Sequence, residues 1–119
     1  MSNSVDRNLL LDLLDKWETG SLDEAQLHLE AESLWDAGGE WPTHPKHDPR
    51  SIAIEVLSNL DSMNVGFVGR EDIAAIRTFL RTPAGAETDS WTVWESYWAK
   101  IDFGQREKSL GANGYYRDT

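Results

Sequence analysis

Residues 9–35, LLLDLLDKWETGSLDEAQLHLEAESLW, contain two apolar periodicities separated by a glycine. The first places apolar side chains on one side of a helix, because residues three and four apart share a helical face. These side chains are Leu9, Leu10, Leu13, Leu14 and Trp17. Gly20 is a typical helix end, since glycine readily adopts the left-handed conformation found there. The pattern predicts a first helix over about residues 5–18.

The second half of the stretch predicts another helix that packs against the first. Its SLDE sequence at residues 21–24 is typical of a capping box, in which Ser21 and Glu24 each bond a free backbone amide. Gly38-Gly39 would end this helix, which we therefore expect to run to about Asp36. Its predicted buried stripe consists of Leu27, Ala31, Leu34 and Trp35.

The rest of the chain repeats this helical pattern. Residues 40–48 hold two prolines and are predicted to form a loop, after which Asp48-Pro49 is a strong helix start. A broad apolar face runs from Ile52 to Met63 and predicts a third helix, and a fourth is predicted to begin near Arg70. A short helix is predicted over residues 103–110, with Asp102 or Gln105 as its cap. A short strand at residues 65–68 is the alternative within this region. The sequence predicts an all-α fold, a compact bundle of five or six short helices, with residues 1–119 as one domain.

Residues 90–100, SWTVWESYWAK, hold three of the six tryptophans, and Asp89 or Ser90 is the expected cap of their helix. Trp91, Trp94, Trp98 and Ile101 fall within an arc of about 80°, which is typical of a core-facing helix. Tryptophan is seldom completely buried, so some indole rims are expected to reach the surface and anchor a partner. The predicted core comprises Leu10, Leu13, Trp17, Leu34, Val56, Leu60, Ile76, Phe79, Trp94 and Trp98.

Charge is distributed unevenly along the chain. The net charge is −10, and the first 40 residues carry ten acidic and only two basic side chains. Such a surface would repel nucleic acid and attract a basic protein. The alternative is an acidic surface that keeps the protein hydrated and binds no partner. Asp12 and Asp15 interrupt the first leucines, so we expect no membrane span or signal peptide and a cytoplasmic location.

Few residues suggest catalysis or cofactor binding. The chain has no cysteine, and it lacks a phosphate-binding glycine loop and a nucleophile elbow, so we expect neither an enzyme nor a cofactor. His44, His47 and Asp48 have metal-ligand chemistry, but Asp48 is needed as a helix cap. Glu24, His28 and Glu32 share a helical face at a spacing one residue longer than the Glu-x-x-His of di-iron bundles.

Residues 9–35 resemble small acidic helical immunity proteins of bacteria, of the colicin D and contact-dependent-inhibition type. The resemblance lies in a leucine-rich helix, a short turn and a capped acidic helix that ends near a tryptophan. It implies a non-enzymatic helical bundle that binds a basic toxin domain and blocks its active site. Where that domain is a nuclease, acidic side chains would occupy its cleft as phosphate mimics. The contact residues implied are Asp23, Glu24, Glu30, Glu32 and Asp36.

Two apolar residues complete the predicted partner-binding set. Leu29 lies on the mixed face of the second helix, and Trp41 lies in the proline-flanked loop. Two alternatives remain open at this point. One is a structural or regulatory protein that self-associates through exposed aromatic side chains, and its oligomeric state cannot be deduced from the sequence. The other is a small metal-binding protein that uses His44 and His47.

Overall fold

A computed structural model describes residues 6–38, 48, 50–66 and 68–110. Within these residues, six helices of two turns or more follow one another, and no strand occurs, which confirms the all-α prediction. The Cα radius of gyration is 14.1 Å, close to the value of about 13.5 Å expected for a folded chain of this length. The helices are α1 Arg7–Thr19, α2 Glu24–Gly38, α3 Arg50–Asp61, α4 Ile73–Leu80, α5 Glu87–Ala99 and α6 Phe103–Leu110.

Two shorter elements connect α3 with α4. Met63–Gly66 forms a single helical turn, so the alternative of a strand there is wrong for Val65, while Phe67 lies outside the described residues. Arg70–Asp72 forms one turn of 3₁₀ helix that leads directly into α4. The helix predicted to begin near Arg70 is therefore present, with a tightened first turn of the kind common at helix starts.

The turn between α1 and α2 is set by local hydrogen bonds. Gly20 has a φ of 87° and donates its N–H to the carbonyl of Trp17, which confirms it as the end of α1. At the start of α2, the backbone amide of Gln26 donates to Asp23 Oδ1 (2.8 Å), and that of Asp23 donates to Gln26 Oε1 (2.9 Å). The capping box predicted for Ser21 and Glu24 is therefore wrong by two residues, because Glu24 is recruited to a tertiary contact instead.

The core lies where the apolar faces of the first five helices meet. α3 packs against α1, α2 and α4, and α4 also packs against α1 and α5. Eight of the ten predicted core residues are buried, whereas Leu34 and Trp98 are partly buried at its edge. The largest fully buried side chains include Trp17, Leu10, Leu14, Leu27, Ile52, Leu57, Leu60 and Ile76.

The tryptophan stripe of α5 faces this core. Trp91 and Trp94 are buried, and the ring of Phe79 stacks on Trp94 with centroids 4.3 Å apart while meeting Trp91 edge-on at 5.2 Å. α5 begins at Glu87, so the predicted caps Asp89 and Ser90 lie inside the helix and that expectation is wrong. The core-facing prediction for this stretch is confirmed, and the helical register leaves the opposite side of α5 in solvent.

α6 begins and ends where the sequence predicts. Asp102 Oδ1 accepts a hydrogen bond from the backbone amide of Gln105 (3.0 Å), which makes Asp102 its cap. None of the helices in the described part of the chain has the length and apolar composition needed to cross a membrane.

Candidate protein-binding site

The structure separates the predicted contact residues of α2 into two groups. Glu24 points toward the bundle, where its Oε2 accepts hydrogen bonds from Trp17 Nε1 and Arg70 Nε, each at 2.9 Å. Burial raises the pKa of Glu24, but hydrogen bonds from Trp17, from the backbone and from Arg70 outweigh it and leave the pKa below its usual value. Glu24 therefore joins α1, α2 and the 3₁₀ turn.

Leu29, Glu32 and Asp36 form the centre of the outer face of α2. Leu29 is 65% exposed, and both carboxylates lie within about 60° of it around the helix. Glu30 and Asp23 lie at one edge of this face, about 100–120° from Leu29. We call Leu29, Glu30, Glu32 and Asp36 the acidic face.

Acidic residues on α1 are neutralised within the chain. Arg77 Nη2 contacts Asp15 Oδ1 and Glu18 Oε1, each at 2.9 Å, and thereby pairs α1 with α4. Lys16 pairs with Asp12 one turn earlier on the same helix, at 3.2 Å. The negative charge of the first helix is thus largely used for internal pairing.

The acidic face of α2 keeps its charge. Among the described residues, Glu30, Glu32 and Asp36 have no ion-pair partner, and all three side chains are exposed. Three carboxylates around an exposed leucine give an anionic surface with an apolar centre. Such a surface suits a cationic protein partner, because opposite charges accelerate the encounter and the leucine can then be buried.

Three further predicted site residues, Trp41, His44 and His47, lie outside the described residues. Within the described part of the chain, no group of three or more metal-ligating side chains is close enough to hold an ion. Asp48 is confirmed as the cap of α3, since its Oδ1 accepts a hydrogen bond from the backbone amide of Arg50 at 2.9 Å. The side chain and backbone of Arg50 lower the pKa of Asp48 to about 2.

A buried ion pair that the sequence patterns did not predict joins the 3₁₀ turn to α6. Asp72 is completely buried, and Arg106 donates to both of its oxygens, Nη1 to Oδ2 at 2.6 Å and Nη2 to Oδ1 at 2.9 Å. The backbone amide of Gly69 and the hydroxyl of Tyr97 also donate to Asp72. We call Asp72, Tyr97 and Arg106 the buried polar cluster.

The environment of this cluster favours its ionised pair. Burial lowers the pKa of Arg106, but the hydrogen bonds and the charge of Asp72 raise it more, so the guanidinium stays protonated. Burial, together with the hydrogen bond to Asp72 and its negative charge, raises the pKa of Tyr97 to about 12. Both oxygens of Asp72 are occupied, so the cluster positions three elements and leaves no free base for catalysis.

The raised pKa of Tyr97 predicts a stability change in alkaline solution. Because its folded-state pKa of about 12 exceeds the usual 10.0, the contribution of Tyr97 is complete below about pH 10 and is lost as the pH approaches 12. We expect the difference in unfolding free energy between the wild type and Tyr97→Phe to shrink over that interval. Urea unfolding of both proteins from about pH 8 to 11.5 measures this difference. A difference that stays constant throughout would contradict the role of the hydroxyl.

Surface depressions lie on both sides of α5 in the described part of the chain. The first, about 330 Å³, is an apolar cleft between α4 and α5 with Ala74, Val93 and Tyr97 in its lining. The second, about 890 Å³, is an open groove between α3, α5 and the start of α6. Neither includes a residue of α2, so both are separate from the acidic face.

No family model, curated protein or solved structure matches this chain. The structure defines the class of the protein as an all-α helical bundle with an anionic outer helix.

Proposed function

We propose that this protein is a non-enzymatic inhibitor that binds a basic protein through the acidic face of α2. The observation that supports this most is that Glu30, Glu32 and Asp36 surround the exposed Leu29 and form no ion pair with any other described residue. The carboxylates of α1, in contrast, form ion pairs with Arg77 and Lys16. Partial desolvation of these carboxylates has a free-energy cost, which ion pairs with a cationic partner would offset.

The resemblance of residues 9–35 to immunity proteins gives the proposal its concrete form. The partner would be a toxin domain with a cationic active-site cleft, and the protein would act in the cytoplasm of the cell that it protects. Electrostatic attraction would bring the two proteins together, and Leu29 would then fill an apolar recess. Burial of one leucine side chain contributes about 1.5–3 kcal/mol. The carboxylates would take the places that substrate phosphates occupy in a nuclease cleft.

This binding mode predicts which carboxylates contribute to the affinity for the partner. We expect the triple variant Glu30→Gln, Glu32→Gln, Asp36→Asn to lose at least about tenfold in affinity for its partner, because several interface charges are removed together. The variant Leu29→Ala should also bind more weakly. A matched control, Asp12→Asn, Asp89→Asn, Glu107→Gln, changes the net charge equally, from −10 to −7, at exposed positions outside α2.

The measurement is affinity capture from a lysate of the native host with each variant, at low and at high salt, followed by mass spectrometry. The proposal expects one basic protein in stoichiometric amount with the wild type and the control, and far less with the triple variant. Equal recovery with both triple variants would assign the effect to net charge alone and contradict the acidic face. Recovery of only a second copy of the chain, unaffected by salt, would instead favour self-association.

A further inference from the structure

The open groove beside α5 is lined by aromatic rings and carboxylates. Its volume of about 890 Å³ lies within the range of protein ligand sites, about 300–1,000 Å³. α3 supplies two polar side chains, α5 supplies three tryptophans and a glutamate, and α6 supplies a phenylalanine. The residues that matter here are Glu55, Asn59, Trp94, Glu95, Trp98 and Phe103.

The rings at the open end of the groove are nearly parallel. Trp98 and Phe103 have an interplanar angle of 13° and centroids 6.4 Å apart, and Phe103 is 40% exposed. Trp98 meets Trp94 edge-on, with centroids 5.3 Å apart. The indole N–H of Trp98 is buried without an acceptor among the described residues, so packing alone holds this ring. The ring can therefore adjust to a ligand without breaking a hydrogen bond.

One carboxylate of the groove is held in a fixed orientation. Glu55 Oε2 accepts hydrogen bonds from Trp94 Nε1 at 2.9 Å and from Asn59 Nδ2 at 3.1 Å. The other oxygen of Glu55 accepts no hydrogen bond within the described part of the chain, and Glu95 adds a second carboxylate. Among the residues that the structure describes, no lysine or arginine lines the groove. Glu55 is thus a partly buried carboxylate beside aromatic rings, and it has no cationic partner among the described residues.

We propose that this groove binds the guanidinium group of an arginine side chain presented by a protein partner. A planar guanidinium stacks on aromatic faces and at the same time donates to a carboxylate, whereas a lysine ammonium is a more strongly hydrated point charge. The groove is several times larger than one guanidinium, which leaves room for the peptide on either side. The inference does not rest on the acidic face, because no residue of α2 lines the groove.

The test is a titration of the full-length protein with N-acetyl-argininamide, monitored through the NMR signals of the tryptophan indole N–H groups. We expect saturable shifts of the Trp94 and Trp98 signals. N-acetyl-citrullinamide, which has the same shape without the charge, should cause none. N-acetyl-lysinamide should bind at least about threefold more weakly, as expected for the loss of stacking. If the arginine and lysine derivatives bound with equal affinity, the proposal that the groove selects a guanidinium would be overturned.

Three variants locate the binding. Phe103→Leu keeps the apolar contact but removes the aromatic face, and Glu95→Gln removes a charge; each should weaken binding at least about threefold. Val93→Ala, on the same helix but outside the groove, should leave it unchanged. The triple variant of the acidic face should also titrate like the wild type. If the triple variant lost arginine binding, or if no variant of the groove had an effect, the arginine site would lie elsewhere. That outcome would leave the proposed function of the acidic face untouched, because the two tests use different residues.

Discussion

Replacement of Asp72 with asparagine is expected to lower the free energy of unfolding by about 3–5 kcal/mol, a large fraction of the stability of a domain of this size. The variant leaves the guanidinium of Arg106 without its buried counterion, and it weakens the hydrogen bonds from Gly69 and Tyr97. Urea unfolding followed by circular dichroism measures the loss. Because the cluster joins the 3₁₀ turn to α5 and α6, the amides of α6 should also exchange faster.

Two controls separate the buried pair from general charge effects. Glu71 is more than half exposed and lies 3.7 Å from Arg106, so Glu71→Gln should cost less than about 1 kcal/mol. The double variant Asp72→Leu, Arg106→Met removes both charges, and it should be more stable than Asp72→Asn because no uncompensated charge remains. A loss below about 1 kcal/mol for Asp72→Asn would show that the pair does not hold α6 in place.

Truncation of Trp94 to alanine is expected to cost about 3–5 kcal/mol. The side chain is 3% exposed, stacks on Phe79 and donates its indole N–H to Glu55. The variant therefore loses packing and removes one of the hydrogen bonds to the Glu55 carboxylate. Thermal and urea unfolding give the magnitude. The more conservative Trp94→Phe should lose less, since it keeps a ring beside Phe79.

The neighbouring residue provides the matched control. Val93 is 66% exposed on the opposite side of α5, so Val93→Ala should change stability by no more than about 0.5 kcal/mol. If the two alanine variants were equally stable, the tryptophans would not face the core and the register of α5 would be wrong.

Periodicity and capping predicted much of this fold because both are local. The spacing of Leu10, Leu13 and Trp17 determines which side of α1 can be buried, and Gly20 marks its end through its own backbone conformation. The same reasoning predicted the first and last residues of α6 correctly. It misplaced the start of α2, where Glu24 serves a tertiary contact with Trp17 and Arg70 rather than a cap.

The buried polar cluster could not be predicted from the sequence. Asp72 and Arg106 are 34 positions apart, and each looks like an ordinary surface charge when its neighbours alone are considered. The composition of the acidic face was predictable, since helical periodicity places Leu29, Glu32 and Asp36 together. Which acids remain unpaired was not, because the pairing of Asp15 with Arg77 depends on how α1 packs against α4.

The most direct test of the proposed inhibitor function is the association rate of the protein with its captured basic partner, measured by stopped-flow fluorescence as a function of salt. The Debye length falls from about 30 Å at 0.01 M to about 3 Å at 1 M, so steering by the acidic face should fade over this range. We predict that the association rate of the wild type and of the matched control falls at least about tenfold, and that the rate of the triple variant is low throughout. A rate that is independent of salt, or equal for the two triple variants, would contradict binding through the acidic face of α2.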